Sequence, residues 1–342
     1  MKRKLIFIFT LSLIALFGTL TSRMAQTAET KKIKLFVVGF AVPGEAVEKE
    51  IAPAFSKKWA EEHPGEQVEF QFSWGGSSVQ ARNVISGLDA DVVYLSDWTD
   101  VNRIQESGLI THDWNENGKG IVSKSVVVFR VNPGNPLDLK DWSDLLNDGV
   151  KLLTPNPQTS GAARWNIVAL YGSILKKGGS ADEAEQALRK LYRNVVTLGE
   201  SGRATTQDFE RGIGDVALTY ENEALLFRKQ GKEVEFVIPS STIYIENPAA
   251  VVDTYADKHG VKEVAEAFVS LLKSPEAQKI FTNWGFRSID DGINQENAER
   301  FPIPPKTFDI EFLGGWPKVQ KDFFESGGLW EKIVQTERKR SR

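Results

Sequence analysis

Short β-branched and aromatic runs alternate with helix-like segments along most of the chain, and this alternation constrains the fold more than any other feature. Residues 34–40 (KLFVVGF), 68–72, 91–95, 125–131, 150–154, 215–220, 234–238 and 249–252 read as strands. Helical patterns separate them. Val47, Ile51, Phe55 and Trp59 recur every four residues, with Pro53 expected to kink that helix or to lie in its first turn. Ser180 and Glu183 form a capping box ahead of Ala184, Ala187, Leu188 and Leu191. Ser274 and Pro275 mark another helix start. Strands that take turns with helices imply an α/β fold with largely parallel sheets. Glycine and proline punctuation such as NPGNP (132–136) falls in loops rather than in one long linker. That suits two interleaved lobes as well as two consecutive domains.

The N-terminus stands apart from this pattern. Lys2, Arg3 and Lys4 precede an apolar run from Leu5 to Leu20, and Ala25 and Ala28 follow in a small, polar stretch. This is the layout of a cleavable signal peptide spanning residues 1–28, and it predicts export. The chain of 342 residues contains no cysteine. An exported protein without disulfides must rely on its core, and without cysteine it cannot be a lipoprotein, so a soluble periplasmic protein is expected. Removing residues 1–28 takes away four basic residues and no acidic ones, moving the formal net charge from −4 to −8. Such a charge argues against nucleic acid or an anionic membrane surface as partner.

Familiar catalytic and metal motifs are missing. His63, His112 and His259 are far apart in sequence and lack helical metal-ligand spacing. Ser77 is followed by Ser78 and Val79, which is not a nucleophile elbow. What the sequence does offer is three strand-to-helix turns rich in small residues: WGGSSVQ (74–80), TSGAAR (159–164) and the turn around Pro43 and Gly44. A helix N-terminus presents unpaired N–H groups and a partial positive charge. Glycine and alanine let an anion approach that backbone closely. Three such ends carry about +1.5 elementary charges, enough to face a small dianion without a lysine. Each turn taken alone is equally well explained as an ordinary helix cap.

At these residues the chain resembles the periplasmic sulfate-binding proteins of bacterial ABC uptake systems. The segments that carry the resemblance are WGGSSVQ, GLDADVV, TPNPQTSGAARWN, ERGIGDVALTYENEA, VAEAFVSLLKSPEAQ and FLGGWPKVQKDFFESGG, spread over residues 34–334. The resemblance implies a two-lobed, type II periplasmic-binding-protein fold with crossover hinge strands. One lobe would comprise residues 29–120 and 245–342, and the other residues 121–244. It further implies a ligand held in the cleft by neutral donors, and delivery to permease subunits in the inner membrane by a monomeric protein that needs no cofactor. Carried over residue by residue, the donors would be Val42 (N–H), Ser77 and Ser160 (hydroxyl and N–H), Gly161, Ala162 and Gly202 (N–H), and Tyr220 (hydroxyl).

Two positions depart from the family pattern. Ala41-Val42-Pro43 stands where tyrosine, aspartate and proline are common, and Tyr220 replaces a tryptophan. An indole can only donate, whereas a phenol can donate or accept. The loop ESGRATT (200–206) is also one residue shorter than the family pattern. Arg164, about one turn into its helix, reads as structural, paired with a carboxylate at the lobe surface.

Sulfate is fully ionised and only accepts hydrogen bonds, so a cleft of donors satisfies it. Hydrogen phosphate would face those donors with an O–H of its own. Thiosulfate has the same charge and is not excluded. The competing readings are a receptor for thiosulfate, another tetrahedral oxyanion or a chelated metal, and, more remotely, a secreted serine hydrolase that uses Ser77.

Overall fold

The computed structural model describes residues 30–118 and 120–333; the expected signal peptide lies outside the described residues. The strands are β1 (Lys31–Phe40), β2 (Glu66–Gly75), β3 (Val92–Tyr94), β4 (Ile121–Val131), β5 (Leu152–Pro155), β6 (Val195–Gly199), β7 (Val216–Tyr220), β8 (Glu235–Val237) and β9 (Tyr244–Val251). The helices are α1 (Gly44–Ala46), α2 (Ala52–Glu62), α3 (Ser77–Ile85), α4 (Trp98–Glu106), α5 (Gly161–Lys176), α6 (Ala181–Arg193), α7 (Gly202–Glu210), α8 (Glu221–Lys229), α9 (Asp253–His259), α10 (Lys262–Leu272), α11 (Pro275–Asn283), α12 (Asp291–Glu296) and α13 (Gly315–Val319).

The strands are hydrogen-bonded in the order β2-β1-β3-β9-β4-β7-β5-β6, with β8 against β4. β1 is parallel to both β2 and β3, and β5 is parallel to both β6 and β7. Two long antiparallel strands join these groups. Residues 121–126 of β4 pair with β9, and residues 127–131 pair with β7. β9 in turn continues from β4 to β3. The chain therefore passes twice between the β1–β3 side and the β5–β7 side, along β4 and β9.

Burial explains the strand sequences. Every residue of β3, β5 and β7 is buried, as expected for strands covered on both faces, and they read as mostly apolar runs. β6 was not expected from the sequence. It lies at the sheet edge and leaves Val196 and Leu198 exposed, so its pattern carries little signal. Val47, Ile51, Phe55 and Trp59 form one buried face, as their spacing predicts. A π-helical turn (Val47–Ile51) leads directly into α2 and places Pro53, which has no N–H to donate, within the first turn of α2. Ser180 and Glu183 make the expected capping box, and Ser274 Oγ accepts from Ala277 N–H.

Candidate anion-binding site

Six strands each lead into a helix: β1 into α1, β2 into α3, β3 into α4, β5 into α5, β6 into α7 and β7 into α8. The β1–β3 group runs opposite to the β5–β7 group, so the two sets of carboxyl ends face each other. In open α/β sheets, ligands bind outside the carboxyl ends of the strands where the connections diverge. Here the loops from the two sides of the sheet meet. Arg82 of α3 donates across to Gln158 O at 2.9 Å. On the far side, Thr159 Oγ1 ties the loop after β5 to the loop after β6 by donating to Glu200 O at 2.8 Å. Gly76, the N-cap of α3, lies so close to the opposite side that a β-carbon would stand 2.5 Å from Thr159 O and 2.9 Å from Glu200 O.

The sequence-predicted residues fall at this meeting point. Ser77 opens α3, Gly161 and Ala162 open α5, and Gly202 opens α7. Val42 lies in the β1–α1 loop. A β-carbon at Gly202 would sit 3.5 Å from Ala162 Cβ and 3.9 Å from Val42 Cγ2, so these three residues are neighbours. Ser160 is the N-cap of α5 but does not use its side chain as a cap, and the N-cap of α3 is a glycine. The first N–H groups of both helices therefore have no side-chain cap. α7 differs, because Ser201 Oγ accepts from Ala204 N–H at 3.1 Å.

Tyr220 and Ser77 are already engaged by neighbours. The Tyr220 hydroxyl is 2.7 Å from Ser96 Oγ, and burial pushes its pKa well above the ordinary phenol value. Ser77 Oγ donates to Asp100 Oδ2 at 2.6 Å and accepts from Ser96 N–H at 3.0 Å. No histidine is among its hydrogen-bond partners; its proton goes to the Asp100 carboxylate.

Around these residues lies a polar cluster that sequence reasoning missed. Ser96 and Asp97, between β3 and α4, are fully buried. Ser96 O accepts from Trp165 Nε1 at 2.8 Å and from Asn247 Nδ2 at 2.9 Å. Arg164 corrects an expectation: it is buried rather than at a surface. It reaches from α5 across to Asp100 Oδ1 at 3.0 Å, both Asp97 oxygens at 3.3 Å and Thr99 Oγ1 at 2.5 Å. Burial raises the Asp97 pKa, the Asp100 charge adds to the rise, and Arg164 opposes it. Arg203 is paired as well, with Glu223 and with Glu45, the latter at 3.2 Å. Both arginines are thus neutralised locally, and the attraction available to an anion comes from helix N–H groups.

Comparison with known proteins places this geometry in a family. The chain matches the model of the bacterial extracellular solute-binding proteins over residues 37–287. It is 42% identical to a sulfate-binding protein of Synechococcus elongatus, over 89% of this chain and 87% of that one. It is 41% identical to a thiosulfate-binding protein of Pseudomonas aeruginosa, over 83% of this chain and 87% of that one. Among solved structures it superposes on the sulfate-binding protein SubI of Mycobacterium tuberculosis with a TM-score of 0.78 and 36% identity, over 86% of this chain and all of that one. The chain belongs to the bacterial extracellular solute-binding protein family, with the mixed α/β fold of its type II periplasmic members.

Proposed function

We propose that this chain captures sulfate between the helix N-termini at the carboxyl ends of its strands and delivers it to an ABC permease. The observation that carries the reading is the convergence of α3, α5 and α7 on one point, where the nearby guanidinium groups already have carboxylate partners. The ligand would contact N–H groups of Val42, Ser77, Gly161, Ala162 and Gly202, and hydroxyls of Ser77, Ser160 and Tyr220. The two sides of the sheet would act as lobes, residues 29–120 with 245–342 and residues 121–244, closing through β4 and β9. The N-terminal signal would direct export to the periplasm, where the protein would work as a monomer.

Thiosulfate is the second reading, favoured by the 41% identity to the Pseudomonas aeruginosa protein. Calorimetric titration of the desalted protein with sulfate, thiosulfate and molybdate tests both. Sulfate binding without turnover is expected, together with thermal stabilisation by ligand. Absence of heat with all three anions would refute the oxyanion reading.

A further inference from the structure

We propose that a second ligand site lies in a cavity beside the crossing strands β4 and β9, that it takes a short peptide with free termini and apolar side chains, and that its occupancy tightens anion capture. The site itself stands apart from the oxyanion reading; only the coupling rests on that reading.

The cavity measures about 860 Å³, within the range of pockets that enclose ligands larger than a single amino acid. Its walls come from three parts of the chain. Trp98, the first residue of α4, lines it from the β1–β3 side. Ile121 and Lys124 of β4 and Glu246 of β9 line it from the crossing strands. Trp316 of α13 lines it from the other side, where its ring meets Trp165 of α5 edge-on, with centroids 4.7 Å apart at 80°. The Phe323 ring lies equally close to Tyr171, at 4.8 Å, and holds the same C-terminal segment on α5.

The lining selects the ligand. Two indoles and the half-buried Ile121 offer apolar area to side chains. Charge is present in both signs. Lys124 Nζ and Glu246 Oε1 form a loose pair at 3.4 Å. Glu311 is exposed on the rim and has no ion-pair partner among the described residues. Lys273, also on the rim, already has a partner of its own. A dianion would meet Glu246 and Glu311 here and find no row of N–H groups, so this is not a second anion site. A ligand with one charge of each sign and an apolar body matches the lining. Its ammonium goes to Glu311, with the Trp316 indole adding a cation–π contact. Its carboxylate goes to Lys124, whose ammonium has three donors to share with Glu246. A free peptide of two or three residues carries these two charges at its ends and apolar side chains between them.

The cavity and the anion cleft share their walls. Trp98 follows Ser96 and Asp97, and Trp165, on which Trp316 packs, donates from Nε1 to Ser96 O at 2.8 Å. Arg164, next to Trp165, reaches Asp97 at 3.3 Å. The indoles of Trp98 and Trp316 therefore belong to opposite sides of the sheet and part when those sides part. A peptide that spans them binds best to the closed arrangement, as the anion does, and each ligand raises the affinity of the other by the same factor.

The test is calorimetry of the desalted protein with phenylalanyl-phenylalanine, its N-acetyl form and its C-terminal amide, each with and without saturating sulfate. The free dipeptide should bind with a Kd on the order of 100 µM. Either blocked form should bind about three- to tenfold more weakly, because each lacks one charge. Trp98→Ala should weaken the dipeptide by about tenfold or more. Glu311→Gln should weaken the dipeptide about threefold and leave the N-acetyl form unaffected, because that form has no ammonium to lose. Saturating sulfate should lower the dipeptide Kd by about threefold or more. No saturable binding up to about 5 mM overturns the site, as does equal binding of the free and blocked forms, or an unchanged dipeptide Kd in both variants. If Trp98→Ala does not fold, Glu311→Gln, at an exposed position, decides. An equal dipeptide Kd with and without bound sulfate overturns the coupling. Dipeptide binding by a protein that takes no oxyanion would uphold the second site and refute the oxyanion reading alone.

Discussion

Replacing Gly76 by alanine separates closure of the cleft from stability of the fold. The Gly76 backbone has φ −68° and ψ 129°, a conformation that alanine adopts without strain. The nearest obstacles to the new methyl are carbonyls on the opposite side: Thr159 O at 2.5 Å and Glu200 O at 2.9 Å, where ordinary contact begins near 3.4 Å. The two sides must therefore draw apart by about 0.9 Å at Thr159. Hydrogen bonds to a bound anion near 2.9 Å would stretch to roughly 3.8 Å, beyond useful length. Two bonds to a charged acceptor lost in this way cost about 3–6 kcal/mol, or about 10²–10⁴-fold in affinity. The ligand-free protein can open and should be as stable as the parent or up to about 1 kcal/mol more so, because alanine restricts the unfolded chain. Calorimetry with sulfate and thermal melts with and without ligand provide the comparison. A wild-type Kd in Gly76→Ala would show that the two sides need not approach this closely to hold the anion. A large fall in the ligand-free melting temperature would show that their contact belongs to the fold rather than to closure.

Other substitutions probe the supporting cluster. Ser77→Ala leaves Asp100 Oδ2 and Ser96 N–H short of a partner and should cost on the order of 2 kcal/mol, about thirtyfold in sulfate affinity; an unchanged titration would remove the hydroxyl from the site. Arg164→Met leaves buried Asp97 without a cation and Asp100 with only Arg103 at 3.7 Å, and should destabilise the protein by about 3–5 kcal/mol in urea unfolding; a loss below about 1 kcal/mol would mean that the carboxyls neutralise themselves. Asp253 accepts from Thr111 N–H at 2.8 Å, His112 Nδ1 at 2.6 Å and Lys262 Nζ at 3.0 Å. Burial opposes its ionisation, yet these partners hold its pKa well below the usual carboxylate range. A depressed folded-state pKa gives stability that is present above the unfolded value near 4 and is lost as pH falls below it. Asp253→Asn should therefore lower the urea midpoint at neutral pH and narrow the gap between neutral and acid; an unchanged gap would place the acid sensitivity elsewhere.

The central strands were legible because both their faces are covered. β3, β5 and β7 are mostly apolar, broken only by Thr154 and Thr219, and each expected strand in 34–252 has a counterpart in the structure. Edge strand β6 escaped notice because exposed Val196 and Leu198 alternate with half-buried neighbours in a segment of five residues. The N-terminal extension of β9 over residues 244–248 was missed for a related reason. Asn247 and Pro248 weaken its strand signal, and antiparallel pairing with β4 supplies what local propensity lacks.

The site was legible where small residues open a helix, because only small residues permit close approach to the backbone. It was not legible at Ser96 and Asp97, which follow a three-residue strand and look like an ordinary helix cap; Asp97 does cap α4, accepting from Asp100 N–H. Its second role depends on Arg164, separated from it by 67 residues, and on the absence of a side chain at Gly161. No local pattern reports a cation arriving from the opposite side of the sheet. The same geometry explains why Arg164 cannot serve as a counter-charge for the ligand. Arg164 already faces two carboxyls, and an anion that recruited it would leave Asp97 buried without a cation and Asp100 with only Arg103 at 3.7 Å. Attraction must then come from peptide dipoles, which stay in place when the ligand leaves and require no ionised partner.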